Sequence, residues 1–159
     1  MLVLIDQASK AAALASLSET TRVPLLGDLL GLQLTFNPGA TLSFGSSVPW
    51  LLTALGVGTV VFLFVAATRA VSTAWAVGLG FVLGGALGNV IDRLFAPPGF
   101  GRGYVTDFLA YSDWFIGNLA DVALAIGLVI LVVVLWARRR PAARSVSDLT
   151  RSTTAVSGR

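Results

Sequence analysis

Residues 103–122 read G-Y-V-T-D-F-L-A-Y-S-D-W-F-I-G-N-L-A-D-V, from Gly103 to Val122, with Asp107 and Asp121 on either side of an aromatic, weakly polar centre. The stretch ends where a long apolar run begins, so two carboxylates can converge at the boundary of a membrane. Ionisable groups are costly there and are kept where they have work to do. The rest of the chain reads as scaffold, groove or support for this pair.

The surrounding composition is that of an integral membrane protein. Of 159 residues, 55% are hydrophobic and only 12% charged, and the mean hydropathy is +0.84, well beyond a soluble domain of this size. No Pro/Ser-rich linker divides the apolar runs, so residues 1–137 read as one membrane-embedded domain. Cysteine is absent, which excludes disulfides, a thiol nucleophile and thiolate metal sites. Histidine is absent too, which removes the usual general base and the commonest metal ligand. No metal and no cofactor are expected. The net charge of +3 comes mostly from arginines after the last apolar run, a membrane-flanking pattern and not a nucleic-acid surface.

Four apolar segments run approximately from Met1 to Leu17, Val48 to Ala67, Val71 to Ile91 and Leu119 to Ala137. The last three have the roughly twenty residues a helix needs to cross a bilayer. The first carries Asp6 and Lys10 at i and i+4, where they can pair on one face. Charge within a run that has no basic lead is the wrong order for a signal peptide, so it is expected to be a genuine helix. The expected fold is therefore an α-helical integral membrane protein with four transmembrane helices. Arg69 lies between spans two and three, and Arg138, Arg139, Arg140, Arg144 and Arg151 follow span four. That bias puts both termini in the cytoplasm and the two long connections, about 18–47 and 92–118, outside. Residues 138–159, Arg/Ser/Thr-rich, are expected to form a disordered cytoplasmic tail.

Leu32 to Phe36 alternates apolar and polar at the period of a strand, and Asn37-Pro38-Gly39 supplies a turn. A second alternation follows at Thr41 to Phe44. Together they predict a small sheet half sunk in the membrane surface, although an ordinary surface hairpin would read the same. A surface-lying helix is expected from Thr106 to Ala110, among the interfacial aromatics Tyr104, Phe108, Tyr111, Trp114 and Phe115. Span three ends in G-G-A-L-G-N-V-I-D-R, residues 84–93, whose Gly84 and Gly88 suit close helix packing. Asn89 shares a helix face with Asp92 and Arg93.

Asp113 and Asp28 read as solvated turn residues. Asp121 occupies the first turn of span four, where the helix N-terminus is worth roughly 0.3–1 kcal/mol to a carboxylate. Capping would account for it alone but not for Asp107 at the same surface. Two close carboxylates do not both ionise cheaply, so one holds a proton while the other acts as base. An aspartic peptidase uses that arrangement to activate water and protonate the leaving amine. A small transporter remains open as a reading, because intramembrane charges often line ion paths. So does a non-catalytic assembly protein held by its glycine-rich helix.

The blocks Asp6-Gln7-Ala8-Ser9-Lys10, Asn37-Pro38-Gly39-Ala40 with Phe44-Gly45, Gly84 to Arg93, Val105-Thr106-Asp107-Phe108 and Asn118-Leu119-Ala120-Asp121 resemble, in that order, those of the lipoprotein signal peptidases (signal peptidase II) of bacterial cytoplasmic membranes. The resemblance implies that Asp107 and Asp121 form the catalytic dyad. It implies that Asn37, Asn89, Arg93 and Asn118 orient the substrate backbone or the dyad, that Gly39 is a further supporting position of the site, and that Asp6 and Lys10 support the fold from the first helix. The implied substrate is a prolipoprotein whose cysteine carries diacylglyceryl, cut just before that cysteine by a multi-pass monomer among membrane lipids, with the active site at the outer face. Two features depart from the family. Only Met1 to Ile5 precede the Asp-Gln block, where ten or more apolar residues are usual, so an upstream start or a truncated first helix is expected. Gly117 stands where an aromatic is usual, which is expected to loosen the approach to Asn118.

Overall fold

The structure is a computed structural model that describes residues 1–39 and 48–139. The Thr41–Phe44 alternation, Ala40, Phe44-Gly45 and the tail from Arg140 onward lie outside the described residues. Four helices, α1 (Leu2–Ser16), α2 (Pro49–Thr68), α3 (Thr73–Phe95) and α4 (Leu119–Arg139), are joined by four strands: β1 (Val23–Leu26), β2 (Leu30–Asn37), β3 (Val105–Tyr111) and β4 (Phe115–Gly117).

Among the described residues, α2, α3 and α4 are long and apolar enough to cross a membrane, with mean hydropathies of 2.2, 1.7 and 2.8. Their boundaries fall close to those expected, except that α3 continues one turn further and so carries Asp92 and Arg93, as well as Asn89, inside the helix. α2 turns Leu55, Val61, Phe62 and Phe64 outward, as lipid requires and water would not tolerate. α1 has 15 residues, about 22 Å at 1.5 Å per residue, against about 30 Å of hydrocarbon. Its inward face is Asp6, Lys10 and Ala13.

Glycine lets α3 and α4 approach closely. A side chain at Gly127 would meet the Gly78 carbonyl, and one at Gly85 would meet the backbone of Ala120. Gly84 faces Leu2 and Gly88 faces the Asp6 carboxylate, so the small-residue run of α3 serves two neighbours at once.

The strands form one antiparallel sheet in the order β1-β2-β3-β4. β2 begins two residues before the alternation that predicted it and ends at Asn37. The helix expected from Thr106 to Ala110 is instead strand β3, paired with β2 on one side and β4 on the other. Its first four residues and Ala110 are all buried, so both faces are covered. A strand covered on both faces has no polar alternation to reveal it, whereas its β-branched Val105 and Thr106 and its aromatics suit the pleat. β2 and β3 come from different connections, and their register sets Thr35 opposite Asp107. Ala13 of α1, Leu34 of β2 and Phe108 of β3 form the core that fixes the sheet to the helices. At the other end of β3, Thr106 N donates to Asp92 Oδ2 at 3.0 Å, tying the strand to α3.

Candidate active site

Asp107 sits on the central strand, 2% exposed. Asp121 sits in the first turn of α4. Asn118, just before that helix, and Asp121 cap one another: Asp121 N donates to Asn118 Oδ1 at 3.0 Å, and Asn118 N donates to Asp121 Oδ2 at 3.2 Å. This reciprocal pattern satisfies two backbone donors at a helix start. It also anchors the carboxylate, so capping and site-building are the same geometry.

The two carboxylates are joined by a pair of amides. Asn118 Nδ2 donates to Asp107 Oδ1 at 2.5 Å and to Asn89 Oδ1 at 3.1 Å, and Asn89 Nδ2 donates to Asp121 Oδ1 at 2.9 Å. Asn37, at the end of β2, donates to Asp107 Oδ2 at 3.2 Å while its own Oδ1 accepts from Gly39 N at 3.0 Å. Four separate stretches of chain thus meet at two carboxyl groups. Burial first, and the charge of Asp121 second, push the Asp107 carboxyl up to about 6, while hydrogen bonds from Asn118 and Asn37 and the charge of Lys10 oppose the rise. Tyr111 is raised as well, by burial and then by Asp121.

Arg93 is buried, and one of its terminal nitrogens donates to the Gly39 carbonyl. The other, Nη1, is buried and has no hydrogen-bond partner among the described residues. Such an unspent donor costs about 1–3 kcal/mol, and retaining it makes sense where a ligand carbonyl completes it. The cavity at the dyad holds about 470 Å³. Its polar wall is Asn37, Asn89, Arg93, Asp107 and Asp121, and its apolar wall includes Phe115, Ile116, Leu124 and Leu128.

Lys10 lies 2.9 Å from Asp6 Oδ2 and 3.0 Å from Asp92 Oδ2, both partners being buried. Asp6 also accepts from Ala120 N at 3.0 Å, linking α1 to the start of α4. Asp113 is 98% exposed and only loosely paired with Arg22 at 3.5 Å, as expected of a turn residue. Asp28 is likewise exposed in the β1–β2 turn. Asn118, next to Gly117, is fully buried. A side chain at 117 would come within 3.0 Å of Asp121 Oδ2.

Asp6, Lys10, Asn37, Gly39, Asn89, Arg93 and Asn118 all lie in the one region around Asp107 and Asp121, whereas Asp113 and Asp28 lie outside it. Sequence reasoning missed Gln7, whose Nε2 donates to Asp92 Oδ1 at 3.0 Å and to the Gly88 carbonyl at 3.1 Å. It also missed the apolar wall. Leu124 and Leu128 fall three and seven residues after Asp121, a helical spacing that would have placed them on its face. Among the described residues no group of three or more His, Cys, Asp or Glu could hold a metal.

The fold is similar to two solved bacterial membrane enzymes determined by the in meso method. One, at 2.3 Å resolution, has a TM-score of 0.70 and 22% identity, covering 89% of this chain and 88% of that one. The other, at 1.9 Å, has a TM-score of 0.65 and 24% identity, covering 84% and 86%. In sequence the chain is similar to the lipoprotein signal peptidase of Leifsonia xyli subsp. xyli, 48% identical over 132 residues, which are 81% of this chain and 61% of that protein. It is similar also to the lipoprotein signal peptidase of Bifidobacterium longum subsp. infantis, 42% identical over 133 residues, 84% of this chain and 72% of that protein. Residues 1–137 match the family model of signal peptidase (SPase) II, and with both carboxylates of the expected motifs meeting in one cavity, the chain belongs to the signal peptidase II family.

Proposed function

We propose that the chain is an aspartic endopeptidase that removes the signal peptide from diacylglyceryl-modified bacterial prolipoproteins, cutting before the lipidated cysteine. The observation that carries this reading is the amide-bridged pair Asp107 and Asp121 in a single cavity. Asp107, pushed to about 6, is the member suited to hold the proton, and Asp121 is the base. Asp121 takes a proton from water, the resulting hydroxide adds to the scissile carbonyl carbon, and Asp107 protonates the departing amine. The pair then still holds one proton, on Asp121, and its transfer to Asp107 restores the starting state for the next turnover. Arg93 Nη1 supplies a donor for a substrate carbonyl, with Asn37 and Asn89 holding the carboxylates in place. The cavity's apolar wall, continuous with α4, suits a substrate whose leader is itself embedded in lipid.

In this reading α1 serves as the fourth membrane segment, with Leu4, Ile5 and Leu14 exposed to lipid and its charged face turned to α3. The sheet lies on the extracytoplasmic side, and Arg69, Arg138 and Arg139 mark the cytoplasmic ends of the spans. The enzyme acts as a monomer on lipoprotein precursors among membrane lipids. The test is cleavage of a purified diacylglyceryl-prolipoprotein by the wild type and by Asp107→Asn, Asp121→Asn and Asp113→Asn. Loss in the first two with retention in the third is expected. Cleavage by Asp107→Asn or Asp121→Asn at the wild-type rate would overturn the assignment.

A further inference from the structure

The Lys10 ammonium is 2% exposed, and it has three protons to place. Two go to Asp6 and Asp92, which is all that a brace between α1 and α3 requires. The third goes to Asn89 Oδ1 at 3.0 Å. That oxygen also accepts from Asn118 Nδ2 at 3.1 Å, so both of its lone pairs are taken by donors. The Asn89 amide then has one orientation. Turned over, it would set an NH2 group against an ammonium and a second NH2, and would aim its oxygen at the Asp121 carboxylate. In the orientation that the ammonium dictates, Nδ2 donates to Asp121 Oδ1 at 2.9 Å. The same arrangement leaves the second proton of the Asn118 amide for Asp107 Oδ1.

We propose that Lys10 is a positioning residue of the peptidase, fixing the Asn89 amide by its third hydrogen bond and, through Asn89 and Asn118, the placement of both reacting carboxyl groups. The inference rests on the peptidase reading of the site and assigns Lys10 a part beyond supporting the fold. Two further residues keep the ammonium in place. Gly88 has no side chain, and a methyl there would stand 2.5 Å from Asp6 Oδ2. Gln7 Nε2 spans Asp6 and Asp92 at 3.2 and 3.0 Å, holding the two counter-charges apart for the ammonium between them.

The test compares Lys10→Met with Lys10→Met/Asp6→Asn, which removes the ammonium without changing the net charge of the cluster and so guards against failure to fold. The readouts are kcat and KM per folded molecule on diacylglyceryl-prolipoprotein, in the wild-type and Asn89→Ala backgrounds. Misplacement of reacting groups costs on the order of 10- to 100-fold in kcat, and KM is expected to stay within about twofold. In the Asn89→Ala background the same change is expected to cost less than about twofold more, because residues that act in series are not additive. Equal losses in both backgrounds, or a loss that only follows the melting temperature, would overturn the proposal. A readout independent of turnover is solvent exchange of the Asn89 side-chain NH2, followed by nitrogen NMR in detergent micelles. It is expected to quicken at least about tenfold when the ammonium is removed, since a freed group opens locally; an unchanged rate would overturn the proposal even if the wild type cleaves nothing. A wild type that cleaves nothing, with quickened exchange, would sink the peptidase reading, and the role of Lys10 in catalysis with it, and leave standing only that the ammonium fixes the Asn89 amide.

Discussion

The stability of the fold should depend on pH through Asp107, with a sign opposite to that of an ordinary salt-bridged carboxylate. Its carboxyl is raised from 3.8 to about 6, first by burial and then by Asp121. The folded state therefore binds the Asp107 proton more tightly than the unfolded chain does. Stability from this group is fully present below about pH 4 and is lost as pH rises through about 6. A rise of about two units at 1.36 kcal/mol each amounts to about 3 kcal/mol. Asp107 is nine-tenths or more buried, so screening by solvent does little to reduce this. The assay is thermal unfolding in detergent micelles from pH 4 to pH 8 for the wild type and for Asp107→Asn, whose side chain does not titrate. Taking the difference between the two cancels the titrating groups that do not interact with Asp107, leaving Asp107 and its coupling to Asp121. The wild type should lose ground to the variant by on the order of 6–12 °C across that window, at 2–4 °C per kcal/mol for a chain of this size. The variant places its one NH2 against the donor of either Asn37 or Asn118, which costs about 1–3 kcal/mol, but that penalty is the same at every pH. A difference that is flat, or that grows in favour of the wild type as pH rises, would refute the assignment of a raised carboxyl at this position.

Three other perturbations follow from the packing. Gly88→Ala sets a methyl 2.5 Å from Asp6 Oδ2 and 3.3 Å from Ala120 Cβ, and should cost about 1–3 kcal/mol as overpacking does, read as a lower melting temperature. Phe108→Ala removes the aromatic member of the cluster with Ala13 and Leu34; a loss of about 3–5 kcal/mol is expected, with the sheet giving way first in amide hydrogen exchange. Arg22 donates to the carbonyls of Ser112 and Asp28, each at 3.0 Å, and so clamps two turns together. Arg22→Ala should destabilise by about 1–2 kcal/mol. Asp113→Asn, at the exposed end of the same side chain, should stay within about 0.5 kcal/mol; equal effects from the two would show that the ion pair and not the clamp matters.

The three long spans were legible because twenty-odd apolar residues admit few other structures. β2 was legible from its alternation, since it buries Leu34 on one face while Gln33 and Thr35 on the other are only partly covered. β3 was not, because β2 and β4 flank it and both of its faces are covered, which erased the period of two and left an aromatic stretch that resembles an interfacial helix. Asp121 could be placed at a helix start from Asn118-Leu119-Ala120-Asp121 alone. The amide bridge between the carboxylates could not be foreseen, because Asn89 and Asn118 are 29 residues apart and meet only through the close approach of α3 and α4.

By itself the sequence determined the membrane class, the residue types available for chemistry and the candidate carboxylates. Composition and the spacing of apolar runs are properties of the chain before it folds, and the absence of histidine and cysteine holds in any conformation. Only the tertiary structure decided that Asp107 rides on a central strand. It also decided that its carboxyl is pushed up to about 6 by burial and by Asp121, and that the third proton of Lys10 reaches Asn89. Each of these depends on desolvation and on hydrogen-bond distances across elements far apart in the chain, quantities that exist only once the helices and the sheet have closed around one another.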